Sequence, residues 1–493
     1  MALPDLIEIV PLDKPVRAEI TVPGSKSITN RALILAALAD GEVTLEGALW
    51  SEDTQIMVEC LQELGFMVNV VPDPDEICNR TITVYGQGGK VPSGGTAENP
   101  LELFVGNAGT AARFLAAFVC LGKGVYRLHG VPRMHERPQA ALFKALRELG
   151  YRVDSPDDKL PATIFGNPES RIQNPVRTCT VSIEESSQFA SALLLCAKRG
   201  SWKVEVVGKN AEESPYVAMT SKMIEVFPHH GGKFQIEPDA SSGSYFWAAT
   251  KDASSGSYLW AATKVDFSGE KRLGAQIHWL GADENFSVRV SGLRHSGLQI
   301  DEAFFWVFVR LMRDSPFIQE CATEDAFREL CSKWNDAVAT KQEGVKHLSV
   351  SRRDDLGDSI MTAIVIAPLA VQPIRFKDLG RLRVQETERV VALRTELIKC
   401  GAKVVEEDDT LTVYPSKLHG AEIETCNDHR MAMCFAILGL KVPGIKIKNP
   451  ACVKKTFPNF FQKLAALPPK GLGATILDAK TGRKLKEEEL FAD

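Results

Sequence analysis

The sequence predicts a mixed α/β protein in which apolar inner helices are wrapped by small sheets. Short apolar helices alternate with short strands, and the same order of elements returns six times along the chain. Alternation alone would favour parallel βαβ units. The inner helices, however, are apolar nearly all round, and such helices are buried on every side. A helical core covered by sheets therefore fits better than a doubly wound sheet.

The first unit defines the repeat. It has an apolar helix at residues 32–38, a strand at 43–45, a second helix at 55–64 and a strand at 66–70. In the second unit the helices are predicted at 111–121 and 140–149, and the strands at 125–128 and 151–153. Further units begin with the helices 190–196, 361–369 and 431–438, and a weaker one spans 245–312. Gly65 and Gly150 follow the second helices, where left-handed geometry is needed.

Composition narrows the functional class. With 493 residues, of which 44% are hydrophobic and 25% charged, the chain resembles an ordinary soluble enzyme of two or three domains. The formal net charge of -5 gives no overall attraction to nucleic acid or acidic membranes, so we expect neither partner. No segment approaches the ~18 apolar residues of a membrane span. The eleven cysteines form no C-x-x-C pair, so we expect reduced thiols, no metal site and a cytoplasmic location.

The segment PGSKSITNR at residues 23–31 predicts an anion site. It sets a Gly turn, hydroxyl groups, a Lys and an Arg directly before an apolar helix, whose N–H groups and dipole favour negative charge. The spacing does not fit a nucleotide-binding P-loop, because Ser25 stands between Gly24 and Lys26. A surface turn that carries a Lys is an equal alternative for this segment taken alone.

Cationic loops recur in the other units. They read GNAGTAAR at 106–113, RMHERP at 133–138, RVQETER at 383–389, DHRM at 428–431 and KKTFP at 454–458. If the repeats bring these loops together, the cations would enclose a volume that neutralises more than one phosphate or carboxylate. Those cations are Lys26, Arg113, Arg137, Arg389, Arg430 and Lys455. Taken singly, each has a structural alternative; Arg389, for example, could form an exposed ion pair with Glu386 or Glu388.

Acid–base chemistry is expected among these cations. Asp358 and Glu386 are the two candidates, because carboxylates beside Lys and Arg stay ionised and can abstract protons. For each of them a structural role is equally well supported. Asp358 could cap the helix that follows it, and Glu386 could serve only as a salt-bridge partner.

These motifs, with SSQF at 186–189, SPY at 214–216, DASS and NDHRMAM, resemble the 5-enolpyruvylshikimate-3-phosphate synthase family over residues 7–466. The resemblance implies two similar α/β-prism domains, built from six βαβαββ units, that close over the active site. It implies a C-terminal-type lobe from residues 1–23 and 240–467, an N-terminal-type lobe from 24–239, and a peripheral tail at 468–493. The implied substrates are phosphoenolpyruvate and shikimate 3-phosphate, with no cofactor, and we expect a monomer.

The resemblance also implies a role for each motif residue. Asp358 would act as base toward the attacking 5-hydroxyl, while Lys26 and Glu386 would handle protons at the enolpyruvyl carbons, in roles that could be exchanged. The implied ligands of phosphoenolpyruvate are Lys26, Gly109, Arg137, Gln188, Arg389, Arg430 and Lys455. The implied ligands of shikimate 3-phosphate are Ser27, Arg31, Ser186, Ser187, Gln188, Tyr216 and Gln385, together with Asp358.

Several features depart from the family pattern. Gln385 stands where many relatives have Lys, which predicts weaker shikimate 3-phosphate binding, and Phe114 stands where many have Pro. Residues 239–251 are repeated almost unchanged at 252–264, and insertions are expected at about 252–286 and 314–346. Two alternatives therefore stay open. One is a catalytically impaired homologue that binds the substrates; the other is the related UDP-N-acetylglucosamine enolpyruvyl transferase, although its Cys-bearing loop is not found.

Overall fold

The computed structural model describes residues 3–14, 16–166, 176–208, 214–249, 261–263, 277–279, 287–291, 299–304, 307, 348–370 and 372–492. The chain divides into two compact units. The first unit consists of Pro23–Asp239 with Ser296–Gln299, and the second of Met1–Val22, Ala240–His295 and Ile300–Asp493. Each unit has its own hydrophobic core.

The first unit contains seven helices among its described residues. They are Lys26–Leu38, Glu52–Glu63, Gly109–Phe118, Pro132–Glu136, Ala140–Glu148, Ser187–Gly200 and Pro215–Val226, and Val119–Leu121 adds a 3-10 turn.

Two four-stranded sheets of the first unit share one topology. In both, a parallel pair is followed by two antiparallel strands. In the first sheet the strand order is Gly232–Gln235, Asp40–Leu49, Asn79–Gln87, Val68–Pro72. In the second sheet it is Leu101–Phe104, Val125–His129, Ala162–Phe165, Arg152–Asp154. A smaller parallel pair joins Arg177–Ser182 to Trp202–Val207.

The second unit repeats this plan. Its described helices are Ala240–Ala249, Ile360–Ile366, Arg389–Lys399, His429–Gly439 and Phe460–Ala465. Its 3-10 turns are Ile300–Ala303, Ala367–Leu369, Gly380–Val384, Pro450–Lys455 and Glu487–Glu489. One four-stranded sheet has the strand order Leu348–Ser351, Ile374–Lys377, Thr410–Tyr414, Lys403–Glu407. The other has the order Glu422–Ile423, Ile445–Lys448, Leu6–Ile9, Ile476–Asp478. Two-stranded sheets pair Ser287–Ser291 with Arg17–Thr21 in parallel and Ala261–Thr263 with Ile277–Trp279 antiparallel.

Burial of the inner helices confirms the predicted fold class. Every residue from Ile28 to Leu38 is buried, as is every residue of Gly109–Phe118. Helices enclosed on all sides are mostly apolar, because an unpartnered polar group inside the core is costly, and the buried Arg31 and Arg113 are hydrogen-bonded. Gly65 and Gly150 have φ values of +86° and +85°, the left-handed geometry that the sequence predicts after these helices.

The C-terminal segment corrects one prediction. Residues 468–492 are not peripheral, because Ile476–Asp478 pairs with Leu6–Ile9 at a sheet edge. Leu472, Leu485 and Leu490 are buried in the core of the second unit. The many Lys and Glu residues around these few apolar positions conceal the pattern in the sequence. Most of the expected insertions at 252–286 and 314–346, and much of the weaker unit predicted at 245–312, lie outside the described residues. Among the described helices, none is long and apolar enough to cross a bilayer.

Candidate active site

Lys26 is the first residue of a buried helix in the first unit. Its Nζ lies 3.0 Å from Oδ2 of Asp53, whose side chain is 5% exposed. Asp53 stands in the first turn of the helix Glu52–Glu63, where a carboxylate is favoured by the helix dipole. The ammonium group is therefore held at one end of the buried helix by a carboxylate from the next helix.

Two guanidinium groups meet above Gly109. A Cβ on this residue would lie 2.4 Å from Nη1 of Arg113 and 2.7 Å from Nη2 of Arg137, so the side chains occupy space that only glycine leaves open. Nη1 of Arg113 donates to Oε1 of Gln188 at 3.1 Å, and Nε2 of Gln188 donates to Oγ1 of Thr110 at 3.0 Å. The structure thus brings together three predicted ligands, Gly109, Arg137 and Gln188.

Arg137 is a buried cation without a carboxylate partner in the described part of the chain. Nη1 donates to the main-chain oxygen of Asn107 at 3.2 Å, and the buried Nε finds no hydrogen-bond acceptor. A buried charge is costly unless it is paired, so this geometry favours binding of an anion.

Arg31 forms a second buried cationic group. Nε donates to Oγ1 of Thr220 at 2.7 Å, Nη1 to the main-chain oxygen of Ser27 at 2.8 Å and Nη2 to Oγ of Ser191 at 3.0 Å. The Tyr216 ring lies 6.0 Å from its Cζ. Burial lowers the pKa of Arg31 to about 10, and Tyr216 partly offsets this effect. All its hydrogen-bond partners in the described residues are neutral, so its positive charge is not balanced locally.

The remaining predicted ligands of the first unit lie at a helix start. Ser186 caps the helix Ser187–Gly200, and its Oγ accepts a hydrogen bond from the main-chain nitrogen of Gln188 at 3.3 Å. Ser187 is buried. Phe114, a departure from the family pattern, packs its ring 5.3 Å from Cζ of Arg31. Its effect is to give the guanidinium an aromatic face.

Asp358 is surrounded by arginines in the second unit. Oδ1 accepts a hydrogen bond from Nη2 of Arg352 at 2.7 Å, and Oδ2 lies 3.4 Å from Nη2 of Arg430. Burial alone would raise the pKa of Asp358, but the charges of Arg430, Arg352 and Arg389 outweigh it and hold the pKa below the usual range. Asp358 is therefore ionised at neutral pH, as expected of a base.

Glu386 lies in a second ionic cluster of the same unit. Its two oxygens lie 3.0 Å from Nη2 of Arg389 and 3.3 Å from Nζ of Lys455. Arg389 also chelates Asp428, with Nε–Oδ2 at 2.6 Å and Nη2–Oδ1 at 3.1 Å, and donates to Oε1 of Gln385. Burial would lower the pKa of Arg389, but Asp428 and Glu386 raise it overall. Arg389 thus holds Glu386 and Gln385 in fixed positions.

Arg430 contacts the first copy of the duplicated segment. Nη1 donates to the hydroxyl of Tyr245 at 3.3 Å, and Nη2 donates to Oγ of Ser241 at 3.2 Å. Both partners lie on the buried helix Ala240–Ala249. The first copy therefore forms the helix beside the candidate site.

Sequence reasoning missed three residues of these clusters. Asp53 looks like an ordinary helix-start acid, and Asp428 looks like an N-cap, which it also is. Arg352 belongs to the run RRDD, which suggests only exposed ion pairs. The one available signal was their position next to motif residues. In the described residues, no group of three or more His, Cys, Asp or Glu side chains is arranged to hold a metal ion.

The chain is similar to known proteins over most of its length. A family model described as EPSP synthase (3-phosphoshikimate 1-carboxyvinyltransferase) matches residues 11–266 and 328–464. A protein named 3-phosphoshikimate 1-carboxyvinyltransferase from Trichormus variabilis is 34% identical over 481 residues, covering 93% of this chain and 98% of the relative. One of the same name from Opitutus terrae is 35% identical over 501 aligned positions, covering 96% and 100%.

Solved structures share the fold. EPSP synthase from Acinetobacter baumannii superposes with a TM-score of 0.60 at 18% identity, over 96% of this chain and 99% of that one. The enolpyruvyl transferase NikO from Streptomyces tendae gives a TM-score of 0.56 at 13% identity, over 98% and 99%. With the family model matching well over half of its residues, the chain belongs to the EPSP synthase (3-phosphoshikimate 1-carboxyvinyltransferase) family.

Proposed function

We propose that the protein transfers the enolpyruvyl group of phosphoenolpyruvate to the 5-hydroxyl of shikimate 3-phosphate and releases phosphate. The observation that carries this proposal is the pair of guanidinium groups above Gly109, which leave a cationic position for a small, highly charged anion. It is supported by the family to which the chain belongs. The described clusters supply cations, the ionised carboxylate of Asp358 and the carboxyl group of Glu386.

The proposed ligands of phosphoenolpyruvate come from both units. In the first unit they are Lys26, Gly109, Arg137 and Gln188; in the second they are Arg389, Arg430 and Lys455. Arginine suits this task because its planar fork can bind a phosphate or carboxylate through two hydrogen bonds. Arg389 already chelates Asp428, so we assign its main effect to the placement of Glu386.

The proposed ligands of shikimate 3-phosphate include residues of each unit. In the first unit they are Ser27, Arg31, Ser186, Ser187, Gln188 and Tyr216; in the second they are Gln385 and Asp358, the latter at the reacting hydroxyl. Arg31 is bonded to the main-chain oxygens of Ser27 and Tyr216, so it contributes positive charge and fixes both residues. Gln385 would donate through its amide, a weaker contact than a lysine would make.

The chemistry needs two proton transfers at one carbon. Asp358 accepts the proton of the 5-hydroxyl as that oxygen bonds to C2 of phosphoenolpyruvate and C3 takes up a proton. The resulting tetrahedral ketal phosphate then loses phosphate as the bond between C2 and the phosphate oxygen breaks and C3 gives a proton back. We assign the C3 protons to Lys26 and Glu386, in roles that can be exchanged.

The surroundings of Asp358 explain how a weak base can still act. Three arginine charges depress its pKa in the unliganded protein, which keeps it ionised but reduces its proton affinity. Two anionic substrates would neutralise part of that positive field. The base would therefore become stronger when both substrates are bound.

The decisive experiment measures phosphate release from the purified protein with both substrates. Lys26→Met, Asp358→Ala and Glu386→Gln should each lower turnover by about 10²–10⁴-fold while circular dichroism still shows a folded protein. Asp354→Asn is the matched control, because Asp354 is an exposed carboxylate in the same segment as Asp358. No turnover together with tight shikimate 3-phosphate binding would favour the impaired homologue. Turnover with UDP-N-acetylglucosamine as acceptor would favour the related transferase.

We further propose that the protein acts as a monomer in the cytoplasm. The nine described cysteines form no disulfide, and eight of them are buried, which suits a reducing compartment. Light scattering after size-exclusion chromatography should give a mass near 54.1 kDa. A mass of twice that value would contradict the monomer.

A further inference from the structure

Asp301 is a buried carboxylate that touches the turn carrying Asp358. It lies in the 3-10 turn Ile300–Ala303, and its Oδ1 accepts a hydrogen bond from the main-chain nitrogen of Ser359 at 2.7 Å. On the other side of Asp358, a Cβ on Gly357 would lie only 2.7 Å from Oδ2 of Asp301. The carboxylate is therefore packed against the residues that flank Asp358.

Among the described residues, the charged groups that act most strongly on the pKa of Asp301 are Asp358 and Arg430. Asp358 stands in the turn before the helix Ile360–Ile366, and Arg430 lies in the first turn of the neighbouring helix His429–Gly439. Burial, and then the charge of Asp358, raise the pKa of Asp301 to about 6, although hydrogen bonding from Ser359 and the charge of Arg430 oppose them. Asp301 thus changes its charge near neutral pH, while Asp358 is ionised throughout.

We propose that Asp301 is a positioning residue for Asp358, which fixes its turn and whose negative charge makes Asp358 a stronger base. This inference rests on the proposed function. Asp358 faces three arginine charges that weaken it as a base, and a nearby like charge acts in the opposite sense. A second carboxylate in contact with the same turn supplies that charge.

A purely structural role would not require an acid at this position. The hydrogen bond from the Ser359 nitrogen needs only an acceptor, which an amide oxygen also provides. A buried carboxyl group without a salt-bridge partner is disfavoured relative to that amide, because burial penalises its charged form. The acid therefore has an effect that the amide would lack, namely a charge that appears as the pH rises.

The test compares kcat/KM of wild type and Asp301→Asn between pH 5 and pH 8. Below its pKa, Asp301 is protonated and neutral, so the two proteins should be nearly equal at pH 5. Above its pKa, the wild type gains the negative charge, and the ratio of wild type to variant should rise through about pH 6 to on the order of ten-fold at pH 8. The substrate phosphates also titrate near pH 6, but they affect both proteins and cancel in the ratio.

A ratio that is the same at every pH would overturn the inference, because a structural defect does not follow the charge of Asp301. Asp354→Asn, an exposed carboxylate change, should show no pH-dependent ratio. If Asp301→Asn does not fold, Asp301→Ser is a smaller neutral acceptor with the same expected profile. Absence of phosphate release from the wild type would instead refute the proposed function, so the two failures are distinguishable.

Discussion

Gly109 shows how a single missing methyl group shapes the proposed phosphoenolpyruvate site. The guanidinium groups of Arg113 and Arg137 lie where its Cβ would be. Each guanidinium group also donates a hydrogen bond to a main-chain oxygen. Arg113 donates to that of Pro138 at 3.2 Å, and Arg137 donates to that of Asn107, also at 3.2 Å. They cannot retreat from a larger residue without losing these bonds. The two guanidinium groups are thus held closer together than a residue with a Cβ atom at position 109 would allow.

Gly109→Ala should therefore raise the KM for phosphoenolpyruvate by roughly ten-fold, which corresponds to about 1.4 kcal/mol of lost binding. The added Cβ must displace at least one guanidinium group by several tenths of an ångström. The KM for shikimate 3-phosphate should change less, because Gln188 is the one residue assigned to it with a described hydrogen bond to either arginine. Steady-state phosphate release with each substrate varied in turn provides the measurement.

Gly380→Ala is the matched control for this substitution. A Cβ on Gly380 would meet only the Asp409 side chain, at 3.8 Å, which is ordinary contact. Its kinetic constants should match those of the wild type. An unchanged KM for phosphoenolpyruvate in Gly109→Ala would contradict the placement of that substrate above Gly109.

Individual residues differ in how well the sequence predicts their role. Arg137 and Asp358 stand in short motifs whose residue types already indicate anion binding and base chemistry. Asp301 and Arg352 belong to no motif that indicates a site, and only the folded chain shows that they contact Asp358 or its turn. A sequence records the type of a residue but not the partner that the fold brings to it.

Secondary-structure elements start earlier than their apolar patterns predict. The helix predicted at 32–38 begins at Lys26, and the one predicted at 190–196 begins at Ser187. The added first turns carry polar residues that weigh against a helix in isolation. Tertiary hydrogen bonds stabilise them, since Oγ1 of Thr29 accepts a hydrogen bond from the main-chain nitrogen of Leu49 at 3.2 Å. Substrate-binding candidates therefore lie in first turns that periodicity alone does not reveal.

Thr29→Val should destabilise the protein by about 1–3 kcal/mol, because the buried nitrogen of Leu49 would lose its only side-chain acceptor among the described residues. Valine keeps the shape of threonine, so little packing is lost. Urea denaturation followed by tryptophan fluorescence measures the change. Because the first helix carries Lys26, we expect some loss of turnover, but only a modest one as long as the protein is folded.

Thr44→Val tests whether the effect belongs to the buried bond. Thr44 is half-buried, and its hydroxyl bonds to Oγ1 of Thr83 at 3.2 Å across the same sheet. Such a cross-strand pair contributes only about 0.2–1 kcal/mol. Equal destabilisation by the two substitutions would contradict a special role for the first-turn hydrogen bond.

At the scale of the whole molecule, internal repetition made the fold predictable. Each unit contains two four-stranded sheets of one topology and a parallel strand pair that includes no strand of those sheets. The repeated pattern of apolar helix, strand, helix and Gly turn predicts this arrangement, because each copy supports the assignment of helices and strands in the other copies. The C-terminal strand Ile476–Asp478 has no counterpart in the repeat signal, since Leu6–Ile9, its pairing partner, lies at the opposite end of the sequence.

The tandem duplication provides a test that uses two nearly identical segments of one chain. The first copy forms the helix Ala240–Ala249, and the Tyr245 hydroxyl accepts a hydrogen bond from Arg430. Tyr258 is the corresponding residue of the second copy, which lies mostly outside the described residues. Tyr245→Phe should raise the KM for phosphoenolpyruvate roughly five-fold, because a hydrogen bond to a charged group is lost.

Tyr258→Phe makes the same chemical change in the other copy and should leave the kinetic constants unchanged. Deletion of residues 252–264 should likewise preserve phosphate release or increase it, since the helix beside Arg430 remains intact. Loss of folding after that deletion would show that the second copy is required structurally. A larger effect from Tyr258→Phe than from Tyr245→Phe would mean that the second copy, and not the first, supplies the helix that holds Arg430 toward Asp358.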